Sequence, residues 1–297
     1  GGEGSITNIV LLEITNDTDL PRINYEGFSY DGNGDIIPDS GCGSWLLEPQ
    51  STNIYLNSET LSTQDNTTLA STYTVSFYGT GTITFSGTHT GSLVGTSLTD
   101  RVSATFTATA GTLTSTVSGT VTKGQLENLN FASSYIPTSG ASSTRLQDLA
   151  SGSGNSTLIN STEGVLYAEI KANAIYNLQR WLSLSDGSHN NTVKIGFLNS
   201  ATDYKIAVDV RSGGVNQAFL AYNFGAVEPT FAKIAVKYKE NDFSLWANGV
   251  EVATDTSGAT PIGLSELNFN RGDGNQDFFG ECRALAVYKE ALTDAEL

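Results

Sequence analysis

The sequence contains no methionine, two cysteines, two histidines and six prolines. Only 15 % of its residues are charged, and acidic side chains outnumber basic ones 31 to 15, for a formal charge of -16. Each shortage excludes something. A surface that neutralises nucleic-acid phosphates needs clustered Lys and Arg, and none is present. No apolar run approaches the ~20 residues that span a bilayer, so no membrane insertion is expected. The opening "GGEGSITN" has no signal-peptide pattern. Without methionine it reads as a processed product or a piece of a longer chain. Cys42 and Cys282 can pair only if their segments touch; Cys42 lies in a Gly-rich loop and Cys282 alternates within "GECRALAVY", so both read as free thiols. A histidine-based triad would have to use His89 or His189, and both sit in turn-like contexts that suit surface side chains.

Strong helix formers are also scarce. In their place are Thr, Val, Tyr, Phe and 31 Gly, a composition that favours pleated strands joined by turns. The period confirms it. "TYTVSFYG" sets Tyr73, Val75 and Phe77 on one face and Thr74 and Ser76 on the other. "GTITFSG" does the same with Ile83 and Phe85, "RVSATFTATAG" with Val102, Ala104 and Phe106, and "TLTSTVSGTVT" with Leu113, Val117 and Val121. A second series follows from about residue 158. "VLYAEIKA", "VKIGFLN" and "YKIAVDV" alternate in the same way. "KIAVKYK" opposes Ile234, Val236 and Tyr238 to Lys233, Lys237 and Lys239. "DFSLWANGVEVA" is a hairpin on the two-residue turn Asn248-Gly249. In "LTDAEL", Thr293 precedes Glu296 by three residues, a capping box that predicts the start of a helix. Between the two series lies "SSYIPTSGASSTR", then "SGSGNST", polar and without alternation, which marks a boundary. The fold class expected is all-β, two sandwiches in tandem.

The stretches "SWLLEPQSTNIYLNSE", "YTVSFYGTGTITFSG", "SLVGTSLTDRVSATFTATAGTLTSTVSG", "GQLE" and "SSYIPTSGASSTR" together resemble a module of bacteriophage and prophage structural proteins, above all tail fibres and other appendages. That module is similar to jelly-roll carbohydrate-binding modules. "LSLSDGSHNN", "KYKENDFSLWANGVEVATDTSG", "LNFNRGDG" and "LAVYKEALTDAEL" are similar to laminin-G-like, concanavalin A-like sandwiches. The resemblance implies an N-terminal strand and loop segment (1–43), a carbohydrate-binding-module-like jelly roll (44–146), a linker (147–157) and a concanavalin A-like sandwich (158–297). It implies a virion-surface, extracellular protein that binds a host-surface glycan or other virion proteins. A homo-oligomer, such as a trimer, would strengthen weak single sites. Fold alone names no ligand.

Site candidates follow from residue chemistry. Sugars stack on exposed aromatic faces and bond to amides and carboxylates. Trp246 is out of phase with Phe243, Leu245 and Ala247, and Trp181 with Leu182 and Leu184, so both point away from the core if those residues point into it. Trp45 adjoins a Gly-rich loop. Each ring is open to sugar or covered by a loop or a second subunit. Asp186, Asn190 and Asn191 of "SDGSHNN" would supply hydrogen bonds. Two acidic runs have the spacing with which calcium loops begin: Asp31, Asn33 and Asp35 with Asp39 beyond, and Asp273, Asn275 and Asp277. Turn formation accounts for both runs without a metal, and Ca2+ is the alternative they leave open. The "RGD" at 271–273 suits a connecting loop. No closely spaced carboxylates occupy one strand, as polysaccharide-cleaving sandwiches require; Glu169 and Glu281 stand alone on theirs. Adhesion without catalysis is therefore the first expectation. An architectural role on the virion and a polysaccharide depolymerase are the alternatives.

Overall fold

The computed structural model describes residues 43–174, 179–198, 200, 202–225 and 229–297 in full, and the backbone alone of Arg22–Asn24, Phe28–Tyr30 and Ile36–Pro38. The described chain is all-β and antiparallel, built as two sandwiches in tandem. In the first, a three-stranded sheet (Ser97–Ala108, Ser71–Gly79, Val121–Glu127) faces a four-stranded one (Gln64–Thr68, Gly111–Ser118, Thr82–Gly87, Gly91–Val94). The alternating residues fill the space between them. Tyr73, Val75, Phe77, Ile83, Phe85, Phe106, Leu113 and Val121 form one buried cluster, against which Val102, Ala104 and Val117 pack.

The second sandwich pairs a five-stranded sheet, from Val215–Asn223 to Glu266–Asn268, with a seven-stranded sheet, from Arg22–Asn24 to Val250–Asp255. Its core holds Leu166, Ala168 and Ile170 against Leu182, Leu184, Val193, Ile195, Val208 and Val210. Cys282 belongs to this core, and burial pushes its thiol up to about 12. The Asn248-Gly249 turn has φ of 52° and 78°, the two left-handed values a type I′ hairpin requires.

Pairing at the ends of the chain departs from sequence order. Ser44–Leu47 opens the stretch expected to form the first sandwich, yet it pairs with Gly280–Cys282 of the seven-stranded sheet. Arg22–Asn24 then pairs with Ser44–Leu47. Leu47 is 1 % exposed and lies in the second core. The chain thus enters the second sandwich, crosses to the first, and returns. Residues expected to link the two run along Glu266–Asn268: Ser153 and Leu267 exchange backbone bonds of 3.1 and 2.7 Å, and Phe269 N–H donates to Ala150 O at 2.8 Å.

The polar "SSYIPTSGASSTR" is woven into the first sandwich. Ser143–Arg145 pairs with Ser51–Asn53. Glu127, fully buried, accepts from Ser133 N–H (2.8 Å), Ser133 Oγ (2.6 Å), Ser51 Oγ (2.6 Å) and Gln125 Nε2 (2.7 Å). A buried carboxylate is tolerable only when it is bonded in this way. "LTDAEL" makes the bonds of its capping box, Glu296 Oε2 accepting from Thr293 N–H (2.9 Å) and Oγ1 (2.7 Å). It forms a turn rather than a helix. Leu292 and Leu297 at its two ends pack against the cluster of Val165, Ala235 and Trp246.

Candidate functional site

Strand Asp242–Ala247 sends Phe243, Leu245 and Ala247 into the second core and Trp246 to the opposite face of the seven-stranded sheet. There Trp246 meets Val165 and Ala235, with Tyr167, Leu292 and Leu297 around it. These residues line a cleft of about 330 Å³ together with Lys233, Asn248, Tyr288 and Glu296. Its base is apolar and aromatic, and its rim is polar. Trp246 is 8 % exposed, and its indole N–H donates to Ser244 Oγ at 2.9 Å. Tyr288 is 44 % exposed. Burial first, then the charge of Glu169, raises the Tyr167 phenol above its ordinary value, so it stays a neutral donor. Asn248 is fixed by the hairpin: its Oδ1 accepts Lys233 N–H at 2.9 Å. The turn that walls the cleft is tied down by Lys237, whose Nζ meets Asp294 at 3.4 Å and Asp242 at 3.2 Å. The volume is near the lower end of the ~300–1,000 Å³ typical of small-ligand sites.

The other expected residues lie elsewhere. Trp181 points away from the core, as its phase requires, but is 1 % exposed. Its backbone N–H donates to Gln276 O at 3.2 Å, and the Lys194 ammonium stands 5.1 Å from its ring centre. The loop at 271–276 covers this face, with Gly272 pressed against Ser185 and Thr192, so no face of Trp181 is open to stack on a sugar. Trp45 is 49 % exposed beside a separate hollow of about 260 Å³ bordered by Cys282 and Arg283. Asp186 and Asn191 brace their own loop. Asp186 accepts from Ser188 and from Asn191 Nδ2 (2.8 Å), while Asn191 Oδ1 accepts from Gly213 N–H (3.0 Å). Burial opposes ionisation of Asp186, but those bonds hold its carboxyl below the ordinary range. Asn190 uses its backbone, N–H to Ser188 Oγ and O from Gly214 N–H.

Asp31, Asn33, Asp35, Asp39 and Cys42 lie outside the described residues. Asp273 is engaged by Arg271 at 2.6 Å, which with its hydrogen bonds lowers its carboxyl. The two charges of the "RGD" thus satisfy each other. Asn275 donates to Asp273, and Asp277 accepts from Gln147 Nε2 at 3.3 Å. Among the described residues no three His, Cys, Asp or Glu side chains come together as a metal site would need. His89 stacks on Phe106 at 4.1 Å. His189 accepts from Lys194 Nζ at 3.3 Å through Nδ1 when its ring is neutral.

Tyr167, Lys233, Tyr288 and Glu296 were missed from sequence. All four share the outward phase of their strands or the capping turn, but phase alone does not say which outward residues meet.

No family model matches the chain, and no curated protein sequence matches it. Solved structures similar to it include the CBM40 of the Ruminococcus gnavus IT-sialidase, at 19 % identity and TM-score 0.39, covering 50 % of this chain and 91 % of that one. The SAP-like pentraxin of Limulus polyphemus gives 13 % identity and TM-score 0.38 over 49 % and 71 %. The LG4-5 domains of the mouse laminin alpha1 chain give 9 % and 0.31 over 84 % and 91 %.

Proposed function

We propose that this chain is a non-enzymatic glycan-binding protein of a phage virion appendage, displayed on the virion surface and attaching to a host-surface glycan through the Trp246 cleft. One observation carries the reading: an aromatic base (Trp246, Tyr167) beside the exposed ring of Tyr288, ringed by Lys233, Asn248 and Glu296. Pyranose rings present an apolar face and a hydroxyl edge, and such a cleft matches both. The virion assignment rests on the resemblance across residues 44–146. Attachment through several copies, a trimer for example, would multiply a weak single site.

Binding without cleavage is favoured by the state of the two strand carboxylates. Glu281 pairs with Lys171 at 2.6 Å and accepts from Ser44 Oγ, and Glu169 faces Arg283 at 3.8 Å. A glycosidase needs two carboxyls across one bond, about 5–10 Å apart; these two are each held by cations.

A glycan array probed with the purified chain, with calcium and then with EDTA, tests the reading. Saturable binding that Tyr288→Ala weakens about tenfold supports it; one factor of ten is about 1.4 kcal/mol. Failure to bind any surface glycan under either condition transfers the function to contacts with other virion proteins. Release of reducing ends from host polysaccharide would make the chain a depolymerase.

A further inference from the structure

We propose an anion-binding site at Arg101, in the cleft where the two sandwiches meet, that takes the carboxylate of an acidic saccharide; the choice of a saccharide rests on the glycan-binding reading above. The cleft has a volume of about 370 Å³, within the ~300–1,000 Å³ of small-ligand sites. Arg101 and Ser103 line it from the first sandwich, Lys171, Asn173 and Glu281 from the second, and Glu48 from the crossing between them.

Arg101 is a cation without a counter-charge. A guanidinium has a permanent positive charge and several N–H donors in one plane. Nη1 donates to Ser133 O at 2.6 Å and Nη2 to Ser76 Oγ at 2.7 Å, and both acceptors are neutral. Nε is buried and meets no acceptor among the described residues. The carboxylates that share the cleft are held by other cations: Glu48 meets Arg145 at 3.2 Å, and Glu281 meets Lys171 at 2.6 Å. In a chain where acidic side chains outnumber basic ones 31 to 15, this half-buried guanidinium forms no ion pair among the described residues. A charge withdrawn from water is costly until an opposite charge joins it. Ser133 and Ser76 are themselves fully buried. They hold the guanidinium in place ahead of any ligand, and a fixed donor loses little entropy on binding.

Charge and geometry narrow the ligand. A single uncompensated positive charge is matched by a single negative one. A phosphate dianion would bring a second charge close to Glu48 and Glu281, and like charges at short range repel. A carboxylate is planar and singly charged, and it accepts N–H bonds from a guanidinium on both oxygens. Ser103 is exposed. Asn173 spends one Nδ2 bond on Leu47 O, at 3.2 Å. A hydroxyl and the rest of an amide are thus left for the ring hydroxyls of a sugar, which both donate and accept. A uronate joins the two requirements in one residue. An acidic glycan could then engage the chain at two dissimilar sites, which strengthens weak single contacts.

The test is calorimetric titration of the full chain with trigalacturonate, beside maltotriose as a neutral counterpart and acetate and inorganic sulfate as bare anions. Wild type is expected to bind trigalacturonate more tightly than any of the three, at a site that Tyr288→Ala leaves unchanged. Arg101→Gln should weaken that binding about tenfold or more. Because it also gives up the bonds to Ser133 and Ser76, a second variant serves if it does not fold. Ser103→Asp, from an exposed position on the same strand face, sets a carboxylate beside an intact Arg101 and should abolish trigalacturonate binding with the melting temperature unchanged. Trigalacturonate binding that Tyr288→Ala weakens and Ser103→Asp does not would place the acid in the Trp246 cleft and overturn the seam site. Acetate or sulfate bound as tightly as trigalacturonate overturns the saccharide assignment. Binding of maltotriose alone, weakened by Tyr288→Ala, overturns the seam site and leaves the first reading. Trigalacturonate held at the seam with no glycan in the Trp246 cleft supports this site and overturns the first. No ligand bound by wild type overturns both.

Discussion

Trp246 illustrates why the choice of residue matters in testing a site. Its side chain is nine-tenths buried among Val165, Ala235 and the closing turn. Truncating a buried Trp to Ala costs about 3–5 kcal/mol of stability, comparable to much of a domain's reserve of ~5–15 kcal/mol. Trp246→Ala should therefore lower the melting temperature as well as binding. Tyr288→Ala, at an exposed position, should lower binding with little change in melting, and calorimetry on both variants separates the effects. His189 gives a pH signature. Burial, then Lys194, Arg271 and Arg211, lowers its ring from 6.5 to about 4. The folded value lies below the unfolded one, so between them the unfolded chain holds more protons. This contribution to stability is complete above about 6.5 and is lost as pH falls through 4. Melting curves of wild type and His189→Asn should differ in slope over that window; parallel slopes would mean the imidazole is not held neutral.

Strands were legible because their signal is local. Val75 and Phe77, or Ile234 and Val236, declare a face by period alone, and the structure buries each of them. What lies over a face is a different matter. Trp181 and Trp246 share the outward phase of their strands, but one is sealed by the loop at 271–276 and the other borders a cleft. Nothing within either strand encodes that difference, because the covering chain arrives from about ninety residues away in one case and about fifty in the other. The pairing of Ser44–Leu47 with Gly280–Cys282 was illegible for the same reason. It makes a clear prediction at the level of the element. Removing residues 1–47 takes Leu47 from the second core and strips Ser44 from Glu281. The second sandwich should lose about 3 kcal/mol or more, while the first should be little affected. Hydrogen exchange, resolved by peptide, would show which core loosened.

Across the whole molecule, two chain crossings hold the sandwiches together. Asp148 N–H donates to Glu48 O at 2.9 Å, Glu48 N–H returns to Asp148 Oδ2 at 2.8 Å, and Arg145 reaches Glu48, Asp148 and Pro49 O. Removing the cation from such a buried group costs about 3–5 kcal/mol. Arg145→Ala should split one calorimetric unfolding transition into two; a single sharp transition in the variant would show that the clasp does not couple them. The same crossings fix an order of events during synthesis. Trp45 and Cys282 are register partners separated by most of the chain. As the polypeptide leaves the ribosome, the strand at 44–47 emerges early and must wait for its neighbour at 280–282, while the entire first sandwich can form in the interval. Loop closure over so long a span is slow, and a waiting edge strand is open to wrong partners. The nascent chain is thus most vulnerable after its first domain is finished and before its last strand arrives.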